Sequence, residues 1–147
     1  MSNTSYNIII YTDGACRGNP GPGGWGAYII KNNISFKLSG NESLTTNNRM
    51  ELLATISSLE YFKKKNTILI YTDSMYVKNG ITIWISSWIK NGWKTSSKKC
   101  VKNFDLWKRL HIQNNYHEIT WKWVKGHAGV EGNEIADSLA TNAIEEL

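Results

Sequence analysis

The chain has 147 residues, 41% of them hydrophobic and 20% charged, which is the length of one domain and the composition of an ordinary globular protein rather than a disordered or fibrous one. No apolar run approaches the roughly 20 residues that span a bilayer, and Met1 to Ser5 lacks the charged and apolar regions of a signal peptide, so a cytoplasmic protein without membrane contact is expected. The net charge of +5 is concentrated: from Ile81 to Leu110 seven cations face only Asp105, a local excess of +6 against −1 for the rest of the chain.

In chain order, Ile8 to Thr12 is a short β-branched run that stops at Asp13-Gly14, and Ile68 to Thr72 repeats the pattern before Asp73-Ser74. Between them, Trp25 to Ile30 and Ile34 to Leu38 flank Asn32-Asn33 as the arms of a hairpin. The first three strands are expected to form an antiparallel meander. From Asn48 to Phe62, Leu52, Leu53, Ile56, Leu59 and Phe62 recur at helical spacing, and Lys63-Lys64-Lys65 closes the segment with cations. A right-handed crossover through that helix places the Ile68 strand parallel to the Ile8 strand. A short helix from Ser74, a Trp- and Lys-rich excursion, an amphipathic segment near Phe104 to Leu110, a strand around Ile119 to Val124 and a helix from about Asn133 follow. The expected architecture is an α/β domain over residues 1–147, with one five-stranded mixed sheet of three antiparallel and two parallel strands flanked by helices.

In such sheets ligands gather beyond the carboxyl ends of parallel strands, where Asp13 and Asp73 stand. Neighbouring strands lie about 4.8 Å apart, so the two carboxylates face one small volume. Glu51 lies in the first turn of the connecting helix, and Asp137 lies in the last helix off the stripe of Ile135, Ala136, Leu139, Ala140 and Ala143. Each acid also has a plain structural explanation. Asp13-Gly14 is a common turn pair, Asp73 is a suitable cap for the helix from Ser74, Asn48-x-x-Glu51 fits a capping box, and Asp137 is free to face water. Taken together, clustered carboxylates without matching cations repel one another and call for a divalent ion. Oxygen-only ligands favour Mg²⁺ or Mn²⁺ over zinc, and two ions about 3.5–4 Å apart suit phosphodiester hydrolysis. Cys16 and Cys100 form no C-x-x-C and indicate neither a disulfide framework nor a zinc site; two buried or idle thiols are expected. Gly18 to Gly24 lacks a following G-K-[ST] and reads as a strand connection rather than a phosphate loop.

Several stretches resemble type 1 ribonuclease H of the bacterial kind: Tyr11 to Cys16 with Gly18 to Gly24, Thr45 to Leu52, Tyr71 to Ser74, Gly92 to Thr95, and Trp123 to Gly129 followed by Asn133-Glu134 and Asp137. They come in the family's order and cover nearly the whole chain. The resemblance implies the ribonuclease H-like fold and an endonuclease that cuts the RNA strand of RNA/DNA hybrids without marked sequence specificity, leaving 5′-phosphate and 3′-hydroxyl ends. By position it implies Asp13, Glu51, Asp73 and Asp137 as catalytic acids holding two Mg²⁺ ions, with Mn²⁺ as a substitute, and His127 as a mobile histidine assisting proton transfer or product release.

The same resemblance implies minor-groove contacts from Asn19 and Asn47, and a pocket for a DNA phosphate formed by Thr46, Asn47 and Asn103. Residues 81–103 match the family's basic protrusion, where Trp84, Trp88 and Trp93 interleave with Lys90, Lys94, Lys98 and Lys99. Trp84 and Trp88 are one helical turn apart, so part of this aromatic surface is expected to pack while the rest lies against DNA sugars; Lys94, Lys98 and Lys99 are expected to bind phosphates without reading sequence. Met75 and Leu44 stand where relatives place a glutamine that contacts nucleic acid and a phosphate-binding arginine. A monomer with no obligatory protein partner is expected. Two other readings remain: a non-catalytic hybrid-binding module, and a resolvase- or transposase-like nuclease on the same fold.

Overall fold

A computed structural model describes residues 6–126 and 129–147. Five strands, β1 (Ile8–Cys16), β2 (Gly21–Lys31), β3 (Ile34–Thr45), β4 (Thr67–Thr72) and β5 (Glu118–Trp123), form one sheet in the order β3-β2-β1-β4-β5. The meander β1-β2-β3 is antiparallel, and β4 and β5 add to it in parallel. Asn32 and Asn33, at φ 52° and 66°, form the tight β2-β3 turn; asparagine tolerates this left-handed conformation, which matches the strand twist.

The helices are α1 (Asn47–Glu60), α2 (Met75–Asn79), α3 (Ile85–Lys90), α4 (Phe104–Tyr116) and α5 (Glu131–Glu145), with a π-helical turn at Gly80–Trp84 between α2 and α3. Ile8, Ile10, Ala27, Ile29, Ile68 and Ile70 of the sheet are buried with Leu52, Ile56 and Leu59 of α1 and Leu106, Trp107 and Leu110 of α4. Helix α5 packs across β1, β2 and β3. Gly14 lies against the α1 backbone, whereas Tyr11 lies against Gly132 of α5. Positions 11 and 14 of a strand point to opposite faces, so α1 and α5 sandwich the sheet. Among the described residues no helix is long and apolar enough to cross a membrane.

Several expected boundaries shift. Asp13-Gly14 does not end the first strand: pairing with β2 continues through Cys16, and only the parallel ladder with β4 stops, at Thr12 and Thr72. Helix α1 starts at Asn47, its cap is Thr46, whose hydroxyl accepts from the Arg49 N–H at 3.3 Å, and it ends at Glu60, ahead of Phe62 and the lysine run. Helix α2 is capped by Ser74, which accepts from the Val77 N–H at 3.1 Å, not by Asp73. Helix α4 runs two turns past Leu110, and α5 begins at Glu131 rather than Asn133. Neither thiol is fully buried; Cys100 is exposed.

Gly26 sits opposite Asp13 in the β1-β2 ladder and directly beneath α5. A Cβ there would come within 2.5 Å of Leu139 Cβ and 2.6 Å of the Ala136 carbonyl oxygen, so the helix rests on bare backbone. Gly26→Ala is expected to lower stability by about 1–3 kcal/mol through overpacking, read by urea denaturation; an unchanged midpoint would contradict this packing.

Candidate active site

The site forms where the parallel ladder ends. Beyond Thr12 and Thr72 strand β1 continues with β2 while β4 stops, which opens a cleft at the switch between antiparallel and parallel neighbours. Asp13 lies on β1 at this point and Asp73 follows β4 directly. Glu51 arrives from α1 because Gly14 has no side chain: a Cβ there would come within 2.5 Å of the Glu51 backbone nitrogen. That close approach lowers the head of α1 onto the strand end.

Carboxylate oxygens of Asp13, Glu51 and Asp73 lie within 4.8 Å of one another, with Asp13 and Glu51 buried and Asp73 half-buried. Asp137, half-buried on α5 beside the Ala136 turn that rests on Gly26, raises the Asp13 carboxyl through a hydrogen bond and its charge. Three acids, from β1, α1 and the residue after β4, therefore share one cleft, and Asp137 of α5 acts on Asp13 from beside it. Thr46 and Ser74 cap the two helices, so neither Glu51 nor Asp73 is consumed in capping. Among the described residues Glu51 Oε1 and Asp73 Oδ1 are buried without a hydrogen-bond partner, and each such orphan carries a desolvation cost.

The electrostatics follow. Burial first, then the charge of Asp73 and the hydrogen bond with Asp137, push the Asp13 carboxyl from 3.8 up to about 8. Burial, followed by the charges of Asp13 and Asp73, holds Glu51 well above its ordinary range. Asp73 is also raised by burial, although hydrogen bonds from Asp13 and Glu51 offset part of that. No Lys or Arg pairs with these acids; the salt bridges among the described residues join Arg17 to Glu145, Arg49 to Asp105 and Arg109 to Glu60.

Two contacts to Asp73 had no signal in the sequence beyond proximity to the final motif. The Trp123 indole N–H donates to the Asp73 carbonyl at 3.1 Å, and Gly126 packs so closely on Asp73 that a Cβ would stand 2.9 Å from Oδ2. Both come from the end of β5 and the loop after it. His127 lies outside the described residues.

The other candidate residues divide into two groups. Asn19, Thr46, Asn47 and Asn103 line a cleft of about 470 Å³ with Pro20, Asn48 and Lys102. Asn19 Oδ1 accepts from the Asn47 backbone N–H at 2.9 Å, so the β1-β2 loop is fastened to the head of α1. Lys94, Lys98 and Lys99 are exposed on the protrusion, in a turn closed by a bridge between Lys94 and Cys100. Trp88 is half-buried, 5.2 Å from the buried Trp107 ring, whereas Trp84 stands 38% exposed beside Tyr76 and Trp88. Packing therefore accounts for Trp88 and leaves Trp84 as the accessible ring. Met75 and Leu44 are exposed.

The sequence profile of the family described as RNase H matches residues 5–145. Ribonuclease H of Francisella philomiragia subsp. philomiragia is 57% identical over 141 residues, 96% of this chain and 93% of that one. The chain belongs to the RNase H family. Ribonuclease H of Francisella tularensis subsp. novicida is 56% identical over 95% of this chain and 92% of its own. Among solved structures LC9-RNase H1, described as a type 1 RNase H with the type 2 active-site motif, superposes with a TM-score of 0.87 at 31% identity, over 99% of this chain and 75% of that one. The five-stranded mixed sheet read from the sequence is thus the family fold.

Raised carboxyl pKa values mean that the folded protein holds protons that the unfolded chain releases. Without a divalent ion, the associated stability is present below the ordinary value of 3.8 and is lost as pH rises toward about 8. The melting temperature of the ion-free protein is expected to fall across that interval. Millimolar Mg²⁺ should raise it more at pH 8 than at pH 5, where protons compete for the same oxygens. A Mg²⁺ response independent of pH, or absent, would contradict the charge cluster.

Proposed function

We propose that this chain hydrolyses the RNA strand of RNA/DNA hybrids in a divalent-cation-dependent reaction, without marked sequence specificity, giving 5′-phosphate and 3′-hydroxyl ends. The carrying observation is the set of three carboxylates within 4.8 Å of one another and, among the described residues, without a cationic partner, in a member of the RNase H family. The site fits such an ion by its chemistry: an all-oxygen donor set, two buried oxygens without partners among the described residues, and carboxyls that burial and mutual repulsion hold above their usual range.

Asp13, Glu51, Asp73 and Asp137 would hold Mg²⁺, two ions when substrate is present, with Mn²⁺ as a substitute. Bound there, the cation supplies Lewis acidity toward water and the phosphodiester. The chain's own groups do the remaining work. Glu51 is fixed by the capped head of α1, and the Gly14 N–H, donating to Asp13 Oδ1 at 2.9 Å, fixes the rotamer of Asp13. Trp123 and Gly126 confine Asp73 from the other side. In this reading His127 assists proton transfer or product release.

Substrate binding is assigned to two surfaces. Exposed Lys94, Lys98 and Lys99 neutralise phosphates and carry no sequence information, and the Trp84 ring lies against DNA sugars. Asn19 and Asn47 reach the minor groove, where a ribose 2′-hydroxyl distinguishes RNA from DNA. Thr46, Asn47 and Asn103 receive a DNA phosphate in their cleft. A single catalytic domain with its protrusion at 81–103, acting as a cytoplasmic monomer, completes the proposal.

Asp13→Asn and Asp73→Asn are expected to lose at least about 100-fold in turnover on a hybrid while retaining hybrid affinity. Wild-type-like cleavage by either would remove these carboxylates from the reaction. Replacing Lys98 and Lys99 with alanine should weaken binding and reduce its salt dependence by up to about 0.9 log units for each phosphate no longer neutralised; an unchanged slope in a filter-binding titration would show that these lysines do not touch the backbone.

A further inference from the structure

Asn103, at the end of the protrusion, adopts a left-handed backbone conformation at φ 62° and ψ 26° and lines the cleft beside the head of α1. Both ends of its amide are engaged. Arg49 Nη1 donates to Asn103 Oδ1 at 3.1 Å, and Asn103 Nδ2 donates to the Tyr76 hydroxyl at 3.1 Å. That hydroxyl also accepts from the Trp107 indole N–H at 3.1 Å.

The chemistry of these partners admits one amide orientation. A guanidinium has donors and no acceptor, so the atom facing Arg49 must be the carbonyl oxygen. The Tyr76 oxygen, taking N–H groups from both Trp107 and Asn103, has its acceptor sites filled. An Asn side chain has two amide hydrogens, and among the described residues only one is used. The second N–H therefore stays available at a residue lining the cleft, while the carbonyl, which would repel an anion, is held by Arg49. Arg49 is in turn gripped by Asp105 through contacts of 2.9 and 3.1 Å.

We propose that Arg49 and Tyr76 are positioning residues that lock the Asn103 amide with its N–H free to donate to a backbone phosphate of the hybrid. The lock rests on the substrate-binding role given to Asn103 above. It also ties the protrusion to α1 two residues ahead of Glu51, so the cleft and the carboxylates keep one spacing along the substrate.

Steady-state cleavage of a labelled hybrid in Mg²⁺ tests this with Arg49→Ala, Tyr76→Phe, Asn103→Ala, the Arg49→Ala/Asn103→Ala double variant and Asp105→Asn, each also melted thermally. Loss of a hydrogen bond to a charged group corresponds to a KM rise of roughly tenfold. Arg49→Ala, Tyr76→Phe and Asn103→Ala should each raise KM toward that extent, with kcat within about twofold of wild type, and the double variant should be no worse than the worse single. Asp105→Asn, which removes the ion pair but keeps an acceptor for Arg49, should lower the melting temperature and leave KM unchanged.

If Asn103→Ala raises KM while Arg49→Ala and Tyr76→Phe do not, the lock is wrong and the phosphate role of Asn103 stands. If Asn103→Ala leaves KM unchanged, the phosphate role falls, and the lock with it. Equal KM increases in Arg49→Ala and Asp105→Asn, tracking lost stability, would reduce Arg49 to a structural ion pair. Should Arg49→Ala fail to fold, Tyr76→Phe, which deletes a single hydroxyl, decides the matter.

Discussion

Confinement of negative charge is the constraint on which this molecule is built. Asp13, Glu51 and Asp73 are held within 4.8 Å of one another, partly out of water and, among the described residues, with no cation paired to them. Like charges at that spacing destabilise a fold unless protons or metal ions offset them. The surrounding structure over-determines their positions: a strand pair rich in β-branched residues sets the spacing of β1 and β4, and bare backbone at Gly14 and Gly26 lets α1 and α5 come down on either face of the sheet. Either contact, widened by a single methyl group, would move an acid away from the others. Stability given up at the site is supplied by the Ile, Leu and Trp core between sheet, α1 and α4.

The second organising feature is separation of charge along the chain. The acids sit at the sheet end, whereas the excess of cations lies in the 81–110 segment. In the proposed function polyanion binding falls to the protrusion and hydrolysis to the cleft, so the two would respond to different ions: added salt would weaken the first through phosphate screening, and divalent ions would enable the second. Aromatic packing of Trp88 and Tyr76 on Trp107 anchors the protrusion to the core, and Arg49 links it to α1. These contacts join two distant chain segments into one surface.

Much of this was legible in the sequence because hydrophobic periodicity and strand order are local signals. The repeated Ile-rich runs before Asp13 and Asp73, joined by an amphipathic helix, already imply parallel neighbours and therefore facing carboxylates. What escaped the sequence depends on register and on competition between equivalent partners. Asp13-Gly14 punctuates a strand by composition, yet β2 pairs through it because that edge of β1 is occupied on both sides of the motif. Thr46, Asn47 and Asn48 are all suitable caps for α1, and only the folded path of β3 into α1 selects Thr46. The identity of the residue facing Asp13, Gly26, follows from the β1-β2 register, which the connection at residues 17–20 sets several positions away. Arg49, read only as part of a motif, gains its role from Asn103 and Asp105, more than 50 positions along the chain.

The most direct test of the account is cleavage of a labelled RNA strand presented in four settings: paired with DNA, single-stranded, paired with RNA, and as one ribonucleotide within duplex DNA, each with Mg²⁺ or EDTA. Cutting confined to the RNA/DNA hybrid and dependent on the ion is the predicted result. A hybrid that is bound but left intact, even with Mn²⁺, would contradict it and leave the carboxylate cluster without the hydrolytic role assigned to it.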